Sequence, residues 1–469
     1  MASFKDLPRS FKGQTWRPAE EGYEAARRRW NALHSKRTPA LIMRCSDTDD
    51  IVTAVRYAAD QGVPIALRGG GHGVDGSSAP DGALVIDLSA LKGIRVTPDA
   101  RQVWLEPGVT LGEMDAALDR YGLAVPSGQV STTGVTGLAL GGGVGYLTRR
   151  YGLTVDSIRA CELVTADGRK VRASAEENPE LLWGLRGAGH NFGVVTDIQF
   201  QAHPLNSNVV TGFVVFPLDK AQEVLEQLDW HMRSAPRELC VIPLLLRLPE
   251  IPGLAEKWIG ESSLLLNIVY AGEATHAQSV IGKIEAMSQP IFSSMGPATW
   301  LATNSKADTL APWGRRSFHY CGHLPSLAKP AIKVMIEQAR KQPLKLKPGI
   351  VGAIALPGMD GAVHDVDPES TSYCRAGANW MWECAADWDE PERDEECINW
   401  VASTRDALLP HMLPTGYINL SSEQGAEWVE AVYGGKHRYQ RLVALKRQWD
   451  PGNVFRFNKN IRPDSSPAE

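Results

Sequence analysis

The chain has 469 residues, of which 43% are hydrophobic and 22% charged, with a formal net charge of −5. This balance excludes a disordered protein, and the length exceeds one ordinary core, so two or three domains are expected. No block of basic charge offers a nucleic-acid footprint, and no apolar run reaches the roughly 20 residues of a membrane span, so neither partner is expected. The start, MASFKDLPRS, lacks the apolar segment of a secretory signal, and the seven cysteines are scattered without CxxC or Cys/His clusters. Both features point to reduced thiols and a cytoplasmic location.

In chain order, the stretch from about Pro39 to Pro204 reads as short strands and helices with dense glycine punctuation. DTDDIVTAVRYAA opens with Asp47 and Thr48 and sets Ile51, Val52, Val55 and Ala58 at helical spacing, which predicts a capped amphipathic helix. VPIAL (63–67) and ALVIDL (83–88) predict buried strands, and IRVTPDARQVWLEPG (94–108) a hairpin around Pro98 and Asp99. GVTLGEMDAALDRYGL predicts a helix ending at Gly122. From about Asn206 to Leu420 glycine thins out. Strands such as VVTGFVVFPL and SLLLNIVYAG stand beside helices such as AQEVLEQLDWHM, which predicts an antiparallel sheet backed by helices, an α+β layout. HRYQRLVALKRQW is a further helix, closed by a turn at Asp450-Pro451-Gly452-Asn453 and followed by a polar tail after Pro463. Residues 1–205 and 421–469 are therefore expected to build one domain, and residues 206–420 a second, inserted one.

The run Gly71-His72-Gly73-Val74-Asp75-Gly76 fits the GxGxxG dinucleotide fingerprint in form. That motif needs a helix directly after it, whose N-terminus receives the pyrophosphate. Here SSAPDGALVIDL follows, with Pro80 and an Asp81-Gly82 turn before the next strand, so a nicotinamide-type site is not expected. A glycine loop without a helix still binds anions through successive backbone N–H groups, and Arg68 would add charge beside a diphosphate. A plain tight turn accounts for the same residues. The second run, from Gly128 to Tyr146, is denser in glycine. Each glycine inside an element costs about 0.5–1 kcal/mol against alanine, so the density needs a reason. Close approach of backbone to a flat or phosphorylated ligand is one; glycine-packed contacts between elements are the other. The expectation is two helix-free glycine stretches around one diphosphate.

These segments resemble those of the berberine-bridge-enzyme-like oxidases of the vanillyl-alcohol-oxidase flavoprotein superfamily. RGGGHGVDGSS is similar to the family's first diphosphate loop, and GQVSTTGVTGLALGGGVGYLTRRYGLTVDSI to its second flavin-binding segment. LVTADGRKVRASAEENPELLWGLRGAGHNFGVVTDI resembles the strand, turn and helix that finish its FAD domain, and YGGKHRYQRLVALKRQWDPGNVFRFNKNIRP its terminal motif. The resemblance implies a two-part FAD-binding domain of the PCMH type, with FAD held covalently by His72 through the flavin 8α-methyl carbon. A neutral imidazole is a competent nucleophile near pH 7, so the chemistry is sound. The family's second tether, a cysteine eleven residues before the glycine triplet, falls on Val130, so only the histidyl link is implied. Further cofactor contacts are implied for Arg68, Gly69, Gly70, Gly71, Gly73 and Ser77 in the first loop. In the second they fall on Ser131, Thr132, Thr133, Gly134, Gly137, Gly141, Gly142 and Gly145. Val195, Asn458 and Asn460 complete the set.

Flavin oxidation also needs a base beside the substrate. ANWMWECAADW (378–388) reads as a strand with Asn379, Met381, Glu383, Ala385 and Asp387 on one face. Glu383 sits in an apolar run, where burial raises a carboxyl toward a useful base, and the resemblance places an active-site side chain at or near it. Trp380 and Trp382 are candidates to flank a ring-shaped substrate. Gly416–Leu420 resembles the family's Tyr-x-Asn-Tyr strand, but the tyrosine that acts as base in many relatives is Leu420 here, which leaves Tyr417 to line the pocket. Tyr320 and His319 are candidates by residue type alone. The reading is an FAD oxidase acting on a small-molecule alcohol, amine or phenolic metabolite with molecular oxygen as acceptor. The alternatives are a flavin dehydrogenase with another acceptor and a flavin-carrying binding protein without turnover.

Overall fold

The computed structural model describes residues 6–344, 352–422 and 425–464, so the first five residues and most of the polar tail lie outside it. Short aliphatic runs between glycine turns give the front of the chain two small sheets. In the first, Leu41–Arg44 and Ile65–Arg68 lie parallel on either side of Leu84–Asp87, with Gln14–Trp16 antiparallel at the edge. Leu84–Asp87 is buried on both faces, which suits its apolar run Leu84-Val85-Ile86, while Asp87 pairs with Arg44 at 3.0 Å. Helix Thr48–Gln61 covers this sheet; the Asp47 side chain accepts from the Asp50 N–H at 2.8 Å, and Gly62 (φ 64°) closes the far end.

The second sheet is antiparallel, in the order Ile94–Thr97, Gln102–Leu105, Val194–Gln201, Ile158–Val164, Lys170–Ser174. Its first two strands are the expected hairpin, paired Ile94 to Leu105 and Thr97 to Gln102. Helix Leu111–Asp119 begins with a Thr110–Glu113 capping box and stops before Gly122. After the first glycine run residues 69–83 form turns and loop up to the next strand, as expected. The second run is not helix-free. Val135–Leu140 is a short α-helix entered at Gly134. Gly137 inside it costs only about 1 kcal/mol, and the glycines that leave regular backbone, Gly142 (φ 130°) and Gly143 (φ 85°), come after it.

Between residues 208 and 388 a seven-stranded antiparallel sheet runs in the order Phe292–Thr299, Asn208–Pro217, Ser262–Tyr270, Leu239–Arg247, Gly352–Ala355, Trp380–Trp388, Arg316–Leu324. Helices Ala221–Met232, Ala274–Glu285, Lys329–Arg340 and Asp394–Leu408 cover one face and share a core with Trp380, Trp382, Cys384 and Trp388. The other face looks toward the front of the chain. The architecture is α+β, as the sequence predicts. Helix Lys436–Trp449 returns to pack Leu442, Val443 and Leu445 beside Leu181, Leu182 and Leu185. Among the described residues no helix is long and apolar enough to cross a membrane, no His/Cys/Asp/Glu cluster could hold a metal, and all seven cysteines are free and buried.

Candidate active site

A cavity of about 500 Å³ lies between the glycine runs and the open face of the seven-stranded sheet, a size suited to a cofactor or small molecule. The two runs touch backbone to backbone. A Cβ on Gly70 would stand 2.3 Å from the Gly134 nitrogen, and one on Gly134 2.6 Å from the Gly70 nitrogen. Only glycine at both positions allows this seam. Gly69, Gly70, Gly71, His72, Gly73 and Ser77 line the cavity from one run, and Thr133, Gly134 and Gly137 from the other; Val195 and Asn458 join them.

The remaining expected contacts point elsewhere. Arg68 donates to the Ala26 carbonyl and does not line the cavity. Ser131 is held by Asp308, through its amide at 2.7 Å and its hydroxyl at 2.5 Å. Thr132 shares a hydrogen bond with His72. Gly141, Gly142 and Gly145 admit protein rather than ligand: a Cβ on them would meet Asn419, Tyr373 and the Ser127 carbonyl at 2.2, 2.7 and 1.8 Å. Asn460 does not line the cavity either.

His72 is fixed on three sides. Its ring stacks on Trp30 (5.5 Å, 19°) and meets the edge of Trp313 (5.5 Å, 88°), while Nε2 and Thr132 Oγ1 lie 2.8 Å apart. Burial pushes its pKa down to about 4 against the weaker pull of Asp308, so the imidazole is neutral and nucleophilic at pH 7.

On the sheet side Met381, Glu383, Ala385 and Asp387 face the cavity with His319, as alternation along Trp380–Trp388 requires. Glu383 is not the lone carboxylate the sequence suggests. His319 Nδ1 donates to Glu383 Oε1 at 2.7 Å, Nε2 lies 2.6 Å from Ser317 Oγ, and Asp387 Oδ1 stands 3.9 Å from Nε2. Burial opposes a charge on His319, but Asp387 and Glu383 outweigh it and hold the imidazolium up to about pKa 10. Asn379 is turned out to the Pro325 carbonyl, and Trp380 and Trp382 lie in the core under the helices, not beside a substrate. Tyr320 also faces the helices, packed on Phe318 and under Arg405. Tyr417 lines the cavity, but its hydroxyl accepts from the Gly143 N–H (3.2 Å) and the Asn419 amide (2.9 Å), and burial pushes its pKa up. Residues 418–420 form a 3₁₀ turn rather than the expected strand.

Several lining groups escape sequence reasoning. Lys459 Nζ meets Asp75 Oδ2 at 2.7 Å, a buried pair joining residues 384 apart; burial raises Asp75, yet the Lys459 charge and hydrogen bonds from Lys459 and Ser77 hold it well below the usual range. His190, which pairs with the Gly137 carbonyl at 2.9 Å, and Asn419 also line the cavity. His190 and Asn419 stand in the GAGHNFG and YINL segments, whose family resemblance is the signal that could find them; nothing in the sequence signals the Asp75–Lys459 pair.

The polar inventory fits a large, hydrogen-bonding ligand such as FAD. Ser78 Oγ, Thr136 Oγ1, Asn458 Oδ1 and Asp387 Oδ1 are buried, belong to lining residues and have no hydrogen-bond partner among the described residues. Buried polar atoms favour a partner, and these four, on a cavity walled by both glycine runs, are open to a ligand's polar groups.

Comparison with known proteins gives the same direction. Residues 39–174 match the family model described as FAD binding domain, and residues 416–462 the one described as berberine and berberine like. The chain is 30% identical to an FAD-linked oxidoreductase of Dictyostelium discoideum over 97% of this chain and 95% of that one. It is 30% identical to (R)-6-hydroxynicotine oxidase of Paenarthrobacter nicotinovorans, covering 99% of this chain and 100% of the relative. The crystal structure of 6-hydroxy-D-nicotine oxidase from Arthrobacter nicotinovorans superposes with a TM-score of 0.86 at 27% identity, over 97% and 99% of the two chains.

Proposed function

Because the chain belongs to the berberine-bridge-enzyme-like FAD-linked oxidoreductases, we propose that it carries FAD covalently on His72 and oxidises a small alcohol, amine or phenol, with dioxygen as electron acceptor. The observation that carries this reading is the setting of His72: a neutral imidazole, braced by Trp30 and Trp313, on the wall of a cavity lined by both glycine runs.

When bound, FAD would supply the acceptor for a hydride, which carries two electrons and one proton. The residues of the chain do the rest. Ile242, Leu244, Ala353, Ala355 and Met381 give the substrate an apolar wall and keep water from it. Glu383 and Asp387 are the carboxylates on that wall, and Asp387 Oδ1 is free of hydrogen bonds, so they receive the proton that leaves a substrate O–H or N–H. The His319 imidazolium lies between the two carboxylates, holds Glu383 in place and lowers the cost of burying both. Tyr417, with its hydroxyl engaged and its pKa raised, is a poor base; it shapes the turn at Gly143.

The test is spectroscopic. Protein precipitated in acid should keep yellow flavin in the pellet, and His72→Ala should release it to the supernatant. A panel of alcohols, amines and phenols, scored for hydrogen peroxide, then identifies the substrate class. Wild-type protein whose flavin leaves the pellet refutes the tether; turnover with an artificial acceptor but no peroxide refutes the oxidase.

A further inference from the structure

We infer that Thr132 is a positioning residue for attachment of the flavin: its hydroxyl takes the Nε2 proton of His72 and thereby leaves the lone pair on Nδ1. The inference rests on the reading of His72 as the tether. An imidazole has two ring nitrogens, and the hydrogen bond made by one decides which form the other takes. Here Nε2 is 2.8 Å from Thr132 Oγ1, while Nδ1 makes no hydrogen bond among the described residues. Trp30 and Trp313 fix the plane of the ring, and Thr132 fixes its rotation in that plane.

Thr132 is itself held by its neighbours rather than by the cofactor. The Leu111 and Gly112 amides, in the first turn of helix Leu111–Asp119, donate to the Thr133 and Ser131 carbonyls at 2.9 Å each. Asp308 grips Ser131 through both amide and hydroxyl. The backbone on either side of Thr132 is thus pinned from two directions. Its side chain is exposed and does not line the cavity, so the hydroxyl can pass a proton on to water.

Nδ1 bonds to the flavin 8α-carbon, and one hydrogen of that methyl group leaves as a proton. The Nε2 proton departs through Thr132, and the electron pair of the broken C–H bond passes by way of the ring system to dioxygen. Dioxygen takes up the two protons and becomes hydrogen peroxide, so imidazole, methyl flavin and dioxygen yield the linked flavin and one peroxide.

The experiment uses full-length protein produced under riboflavin limitation and then supplied with FAD. Total flavin bound and flavin retained in the acid pellet are followed with time for wild type, Thr132→Val, Thr132→Ser and His72→Ala. Loss of one neutral hydrogen bond should slow attachment about tenfold in Thr132→Val, with total FAD uptake unchanged. Thr132→Ser should restore the wild-type rate, and His72→Ala should bind FAD without attaching it. Equal attachment rates in wild type and Thr132→Val overturn the inference. So does loss of FAD uptake itself in Thr132→Val, which would make Thr132 a cofactor contact. A wild-type pellet free of flavin is a different result: it removes the tether reading on which the inference stands.

Discussion

The seam between the glycine runs makes a quantitative prediction. A Cβ on Gly70 would lie 2.3 Å from the Gly134 nitrogen, 2.8 Å from its Cα and 3.2 Å from the Thr133 carbonyl carbon, whereas ordinary contacts begin at 3.4 Å. Gly70→Ala must therefore push two backbones apart by about 1 Å, and neither is a side chain that can swing aside. Overpacking of this kind costs about 1–3 kcal/mol, and a backbone clash belongs at the upper end. If the strain falls on the closed, cofactor-holding form, FAD affinity drops about 100-fold. The assay is FAD titration of full-length protein in a His72→Ala background, where binding is reversible, with thermal unfolding of the cofactor-free chain alongside. Gly137→Ala is the companion variant. Nothing lies within 4 Å of its Cβ and it sits in a helix, so the cofactor-free chain should gain about 0.5–1 kcal/mol, while the methyl group enters the cavity and weakens FAD binding. Gly70→Ala and Gly137→Ala that both titrate like their parent would refute the placement of the cofactor between the runs.

Two further outcomes follow from buried charge. Asp115, on helix Leu111–Asp119, accepts from the Asn304 amide at 2.7 Å, leaves Oδ1 without a hydrogen bond and has its pKa pushed by burial to about 7. Because this lies above the unfolded value of 3.8, its contribution to stability is fully present below pH 3.8 and is lost as pH rises through 7. Asp115→Asn should thus stabilise the protein at pH 8, by up to about 4 kcal/mol at 1.36 kcal/mol per unit, and do little at pH 4; equal changes in melting temperature at both would contradict this. Lys459→Met should cost about 3–5 kcal/mol by removing the charged partner of buried Asp75. Adding Asp75→Leu should recover much of it, read as a double-mutant cycle in urea unfolding.

Local periodicity carried much of the architecture. The glycine loop with no helix behind it, the Ile94–Leu105 hairpin and the returning helix at 436–449 all form where turn chemistry and apolar spacing put them. Alternation set Glu383 and Asp387 on the open face of their strand, and the same rule puts Trp380 and Trp382 on the opposite face, which residue type had obscured. On the strand Arg316–Leu324 a one-residue difference separates His319, in the cavity, from Tyr320, under the helices, and RRSFHYCGH has no apolar alternation to choose between them. Glycine runs report close approach but not to what: Gly137 borders the cavity, whereas Gly141 admits Asn419. Pairs such as Asp75 with Lys459 are set by the tertiary fold and leave no mark on local sequence.

That last pair has a bearing on biosynthesis. The cavity is walled by both the first glycine loop and the segment at Phe455–Lys459, so its final wall is translated almost 400 residues after its first. Closing so long a loop is slow, and it cannot begin until Phe455–Lys459 have been translated. For the proposed function this means that FAD loading follows translation of this last wall, and a polypeptide cut short before Phe455 has the first glycine loop but no chamber around it.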